Sequence, residues 1–191
     1  NYAYPTDKGF LMKKRLSLIQ MDVHVNEVEY NYARVQELLS QALSESPDII
    51  VLPETWNTGF HPSKDLINIS DRNGERTKAL LSTFAKEHNV NIVGGSVAVA
   101  KEDLVFNTSY AYNRKGTLVG EYSKMHGFSP AKEDQYFASG THTTHFELDG
   151  IPCSTVICYD IRFPELVRMA ALSNTELLFV PAQWPTMRLR H

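Results

Sequence analysis

The run Ile49-Ile50-Val51-Leu52 is apolar at four consecutive positions, fenced by Pro47-Asp48 before it and Pro53 after it. So short a run between breakers predicts a strand, and apolar residues at odd and even positions alike mean that both faces are covered. The chain therefore has to supply layers above and below this strand. Asn26 is placed to cap a helix reaching about Glu45, with Val28, Tyr32, Val35, Leu39 and Ala42 on one face. A second helix, Arg76 to His88, gathers Leu80, Leu81, Phe84, Ala85 and His88 on one side.

The remaining pattern alternates. Lys13 to Met21 predicts a first strand turned towards the core, and Val90 to Ala100 another, with Gly94-Gly95 allowing close backbone approach. Leu104 to Tyr112 and Thr117 to Tyr122 predict a hairpin turning at Arg114-Lys115-Gly116. His142 to Leu148 and Ile151 to Ile157 pair around Asp149-Gly150, after an irregular stretch from Gly127 to Gly140. A helix, Pro164 to Leu172, and a strand, Glu176 to Val180, complete the order. Helices at both ends and hairpins between them predict a layered α/β domain with a mixed sheet or two sheets, not a purely doubly wound fold.

At 191 residues the chain fits one sizeable domain, assigned to residues 12–191, with the aperiodic residues 1–11 read as a leader or tag outside the fold. A net charge of -3 without a basic cluster argues against nucleic acid as a partner. Apolar runs such as Leu177 to Ala182 are too short to cross a bilayer. Cys153 and Cys158 are five residues apart on or beside one strand, about 16 Å in extended chain, beyond the reach of a disulfide. Reduced thiols and the lack of a signal-peptide pattern predict a cytoplasmic protein.

Three groups of complementary chemistry sit at predicted strand ends, where functional groups gather in α/β sheets. Glu54 follows Val51-Leu52-Pro53, Lys124 follows Glu121-Tyr122-Ser123, and Cys158 follows Val156-Ile157. A cysteine between a strand and a helix is expected to have a lowered thiol pKa, since turn N–H groups and the helix dipole favour an anion. Each has a plainer reading: a buried apolar cysteine, a surface ammonium, a helix-proximal acid.

The chain resembles the nitrilase or carbon–nitrogen hydrolase superfamily in three blocks. These are Leu52-Pro53-Glu54, Tyr122-Ser123-Lys124-Met125-His126, and Cys158-Tyr159-Asp160-Ile161-Arg162-Phe163-Pro164-Glu165. The resemblance implies an α-β-β-α sandwich, a Glu54-Lys124-Cys158 triad and no cofactor or metal. It implies that Glu133, in Ala131-Lys132-Glu133-Asp134 before Gly140, is the additional glutamate of many members. Trp56-Asn57-Thr58-Gly59 and Ala182-Gln183-Trp184-Pro185 resemble the ω-amidase branch, whose members remove the terminal amide of short 2-oxo dicarboxylic monoamides. Family domains continue beyond the position of His191, so the sandwich is expected to lack its C-terminal part. Members also self-associate, so a homodimer is expected where that part is present.

On this reading the partner is a small-molecule amide. Cys158 attacks as thiolate, Lys124 and the Tyr159 backbone N–H hold the oxyanion, and Glu54 shuttles the proton. Glu133 orients Lys124 or the water, or else belongs to a solvated charge run. Arg162 either meets a substrate carboxylate or pairs with Asp160 or Glu165. Trp184 walls the pocket or sits in the core. His126 is set aside as a base because the triad already supplies one, and His142 and His145 point to opposite strand faces, unsuited to a metal. The alternatives are an N-carbamoyl amidase or nitrilase with the same triad and, from another class, a non-catalytic module whose triad does not assemble.

Overall fold

The computed structural model describes residues 13–60 and 63–184. The proposed leader, residues 1–11, and Pro185 lie outside them. In chain order the elements are β1 (Leu16–Leu18), α1 (Val28–Ala42), β2 (Ile49–Val51), α2 (Leu66–Ile69), β3 (Asp71–Arg72) and α3 (Glu75–His88). They continue with β4 (Asn91–Val93), β5 (Val97–Lys101), β6 (Leu104–Tyr112), β7 (Leu118–Ser123), α4 (Glu133–Tyr136) and β8 (His145–Leu148). The last three are β9 (Ile151–Thr155), α5 (Pro164–Leu172) and β10 (Leu177–Phe179).

The strands form two sheets. The first runs β1-β2-β4-β6-β5-β3, with β7 also paired to β6, and the second runs β10-β9-β8. β1, β2 and β4 are parallel, whereas β6 pairs antiparallel with β4, β5 and β7. The alternation within β2 explains its apolar run. Ile50 and Leu52 join Tyr32, Val35 and Leu39 of α1 and Leu81, Phe84 and Ala85 of α3 in one core. Ile49, with Val93 and Ala111, meets Phe146, Leu148, Cys153 and Phe179 of the second sheet in another. On the far side of that sheet α5 buries Leu166 and Ala170, which meet Ser154 and Val156 around a small void. The layers are therefore helix, sheet, sheet, helix, which is the α-β-β-α sandwich.

Several local expectations are corrected. Val90 to Ala100 is two strands, β4 and β5, interrupted at Gly94-Gly95-Ser96. Gly95 has φ +61°, and a Cβ there would lie 2.0 Å from the Pro53 carbonyl oxygen, so the backbone turns aside where the Glu54 loop crosses it. Asn26 does not cap α1. It sits at φ +62°, its N–H donates to the Thr58 carbonyl at 2.9 Å, and the cap position falls on Glu27. β1 is an edge strand with Leu16 and Leu18 exposed, and Ile19, Met21 and Val23 beyond it pack against the core instead. The stretch from Gly127 to Gly140 holds two short helical turns, Ser129–Ala131 and α4, and β8 begins at His145 rather than His142.

Candidate active site

Glu54 leaves β2 on a loop that the gap between β4 and β5 holds in place. The Ser96 hydroxyl accepts from the Thr55 N–H at 3.0 Å and the Ser96 carbonyl from the Trp56 N–H at 3.2 Å. The Trp56 indole donates to the Gly94 carbonyl at 2.9 Å, and the Asn57 side chain pairs in both directions with the Ala98 backbone, at 2.8 and 3.0 Å. Glu54 to Thr58 are all 0% exposed, so the carboxylate is delivered to the interior by a loop with no freedom to swing away.

Lys124 follows β7, and its ammonium is shared between two buried carboxylates. Nζ lies 2.8 Å from Glu54 Oε1, and 3.0 and 2.8 Å from the two oxygens of Glu133. Asn107 of β6 donates to both acids at 3.1 Å, and the Phe128 N–H donates to Glu133 at 2.7 Å. Gly140 keeps the loop close, since its N–H donates to the Lys124 carbonyl and a Cβ there would lie 2.0 Å from the Ser123 carbonyl oxygen. Glu133 is thus not part of a solvated charge run; it is 0% exposed and bonded to Lys124.

Cys158 follows β9 at a sharp turn with φ +47°, a conformation that costs a non-glycine residue about 1–3 kcal/mol and persists only where its surroundings impose it. Here the Cys158 N–H donates to the Pro181 carbonyl at 2.9 Å. The half-buried thiol lies beside Glu54, close enough for the carboxylate to act on its titration. Among the described residues, the Tyr159 N–H has no backbone acceptor outside its own turn, which leaves it available to an oxyanion beside the sulfur. The three side chains expected to act together are together.

The electrostatics correct one expectation. Glu54, Glu133 and Lys124 bring two carboxylates to one ammonium with all three groups buried, and an uncompensated buried charge costs several kcal/mol. Burial pushes the Glu54 pKa up against the pull of Lys124. Burial works against the Lys124 charge, but Glu54 and Glu133 outweigh it and raise its pKa. The thiol is not lowered; burial and the neighbouring Glu54 push it up to about 12. Desolvation is the largest influence, and the charge of Glu54 outweighs the opposing pull of the Lys124 ammonium. The resting cysteine is therefore a thiol.

The other candidates separate. Arg162 is exposed and pairs with neither Asp160 nor Glu165; among the described residues it has no ion pair. Asp160 is instead held by Tyr122, His126 and Ile157. Trp184 is 46% exposed and so not a core residue. His126 has its Nδ1 on Asp160 and its ring stacked on Phe163. Sequence reasoning missed Asn107 and Gln183. Gln183 donates its backbone N–H to Glu54 Oε2 at 3.0 Å, and its side-chain oxygen accepts from the Phe60 N–H at 2.8 Å. Both left a signal: Asn107 is a polar residue inside a strand, and Gln183 belongs to the block Ala182-Gln183-Trp184-Pro185. A surface concavity lined by Tyr30, Asp71, Arg72 and Arg76 shares no residue with the triad.

Residues 15–190 match the family model described as carbon-nitrogen hydrolase. The chain belongs to the carbon–nitrogen hydrolase family. It is 38% identical over 180 residues to the 2-oxoglutaramate amidase of Bacillus subtilis, covering 94% of this chain and 69% of that one. It is 30% identical over 179 residues to the omega-amidase NIT2 of Danio rerio, covering 90% of this chain and 64% of that one. Among solved structures, Saccharomyces cerevisiae Nit3, a nitrilase-superfamily member, superposes with a TM-score of 0.80 at 25% identity, covering 92% of this chain and 66% of that one. The chain thus spans about two thirds of the length of these relatives. As a family member it is a hydrolase of carbon–nitrogen bonds, of the amidase type and most like the ω-amidases, and the thioester route is general to the family. Among the described residues no helix is long and apolar enough to cross a membrane.

Proposed function

We propose that this chain hydrolyses the terminal carboxamide of a short 2-oxo dicarboxylic monoamide through a Cys158 thioester, with Glu54 as proton carrier and Lys124 as oxyanion donor. The observation that carries the reading is one ammonium shared by two buried carboxylates, one of which neighbours the thiol. Sulfur attacks the amide carbon while Glu54 takes the thiol proton. All three Nζ contacts of Lys124 go to carboxylate oxygens at rest. Protonating Glu54 weakens its hold, and an N–H turns to the oxyanion as charge develops there. The Tyr159 N–H is the second donor, and one such donor is worth about 3 kcal/mol. The tetrahedral intermediate then expels the amine, Glu54 returns the proton, and ammonia departs. A water attacks the thioester as Glu54 takes its proton; the C–S bond breaks and the sulfur regains a proton, leaving the carboxylate product. Glu133 orients Lys124 throughout.

The substrate class rests on the similarity to the 2-oxoglutaramate amidase and on Arg162, an exposed guanidinium four residues past the nucleophile that suits a remote carboxylate. Trp184, one residue beyond the Gln183 that binds Glu54, is placed to wall the pocket. The two free cysteines support a cytoplasmic location. The test is ammonia release from 2-oxoglutaramate, with N-carbamoyl amines and nitriles alongside. Release from the amide that is lost in Cys158→Ala is expected, with Arg162→Gln raising KM for 2-oxoglutaramate but not for a neutral amide of similar length. Release that survives Cys158→Ala would sink the reading.

A further inference from the structure

Asp160 is 0% exposed, lies two residues past Cys158, and takes no part in the reaction above. Four donors converge on its carboxylate. Oδ2 accepts from the Tyr122 hydroxyl at 2.7 Å and from the Ile157 backbone N–H at 3.0 Å. Oδ1 accepts from the His126 backbone N–H at 2.9 Å and lies 2.8 Å from His126 Nδ1. Tyr122 and His126 stand two residues before and two after Lys124, and Ile157 immediately precedes Cys158. Among the described residues, every hydrogen bond between residues 122–126 and 156–163 runs through this one side chain. The His126 ring, stacked on Phe163 at 3.6 Å between centroids, and the Phe163 N–H, donating to the Asp160 carbonyl at 3.0 Å, close the same seam.

A buried carboxylate is an expensive way to join two segments, because burying a charge costs several kcal/mol unless its acceptor sites are filled. An amide offers one acceptor atom; a carboxylate offers two, with about four acceptor sites, and here each oxygen receives two donors. What those donors share is the placement of the lysine loop and of the strained cysteine turn. We infer that Asp160 is a positioning residue that fixes the Lys124 ammonium and the Cys158 sulfur relative to one another, acting through Tyr122, His126 and Ile157. The inference rests on the roles proposed above for Lys124 and Cys158.

The test compares Asp160→Asn and Tyr122→Phe with the parent and Cys158→Ala. The readouts are kcat and KM for ammonia release, the thermal midpoint, and the rate at which iodoacetamide alkylates Cys158. An asparagine oxygen can serve one side of the seam and not both, and phenylalanine removes one donor and leaves the carboxylate with three. Displacing a catalytic group by about 1 Å costs up to about a hundredfold. The expectation is a loss of about that size in kcat for Asp160→Asn and roughly tenfold for Tyr122→Phe, with KM within about threefold. Alkylation should slow in parallel, because the thiol loses its aligned base while still buried. A merely structural role moves alkylation the other way, since loosening exposes the sulfur. Faster alkylation, or a rate within twofold of the parent in both variants, would overturn the inference. Ammonia release that persists in Cys158→Ala would instead overturn the underlying reading of the site.

Discussion

The two ends of β2 carry carboxylates with opposite fates. At its start, Asp48 joins Lys14, Arg114 and Asp149 in a cluster that ties the turn between β6 and β7 to the turn between β8 and β9. Arg114 Nη2 lies 2.8 Å from both Asp48 and Asp149, Nη1 donates to the Asn89 carbonyl, and Lys14 Nζ lies 2.9 Å from Asp149. At its end, Glu54 joins Lys124 and Glu133. The first cluster balances two cations against two anions, with side chains 15–30% exposed. The second sets two anions against one cation at 0–2% exposure. The Arg15 backbone N–H, with Lys14 and Arg114, holds Asp48 below its ordinary range, and the Arg114 hydrogen bonds, with Lys14, do the same for Asp149. Burial pushes Glu54 the other way. A balanced, partly wetted cluster fixes charges and fastens two sheets. An unbalanced, dry one holds a proton loosely enough to move it, which is what general acid–base chemistry needs.

Removing the excess anion gives the largest expected effect. Glu54→Gln should lower kcat about a thousandfold, within the range for a lost general base. It should leave the thermal midpoint at pH 7 no lower than the parent's. The sign follows from linkage: a carboxyl whose folded pKa is raised stabilises the fold below its ordinary 4.5 and opposes it as pH rises through the folded value. A lower midpoint would show that Glu54 is structural. The reverse pattern is expected at the other end. Arg114→Met should cost about 2 kcal/mol, reduced from the buried-pair figure because these groups reach solvent. Denaturant unfolding would measure it, and kcat per folded molecule should not change.

Two smaller effects sharpen the contrast. Glu133 raises the Glu54 pKa, so Glu133→Gln should shift the rising limb of kcat/KM to lower pH. A limb that stays put would assign that ionisation elsewhere. Asp48 and Asp149, both lowered, contribute stability that is present above their ordinary 3.8 and lost as pH falls through their folded values. Arg114→Met should therefore flatten the loss of stability below about pH 4, as read by thermal melts.

What the sequence disclosed depended on whether a feature was local. Pro164 fixes the start of α5 and the covered faces of β2 fix the layers, so both were read correctly from neighbours in the chain. The grouping of Glu54, Lys124 and Cys158 was legible through the family resemblance of three blocks, each of which places one of these residues at a strand end. The break at Gly94-Gly95-Ser96 was not, because it exists to receive a loop forty residues earlier. Asn107 and Gln183 escaped for the same reason: their partners, Glu54 and Glu133, are remote in sequence. The thiol pKa was misread because a turn and a helix start are visible in sequence, whereas the buried acid beside the sulfur is not.

The buried, anion-rich end of β2 keeps its proton on sulfur until substrate arrives. The direct measurement is thiolate absorbance near 240 nm from about pH 5 to 10, as the difference between the parent and Cys158→Ala. Cys153 is itself pushed up to about 11 by burial, so it adds little over that range. No Cys158-dependent thiolate is expected below about pH 9, the ordinary thiol value. A Cys158-dependent rise below that pH in folded protein would mean that Lys124 and the turn stabilise a resting thiolate, and would contradict that expectation.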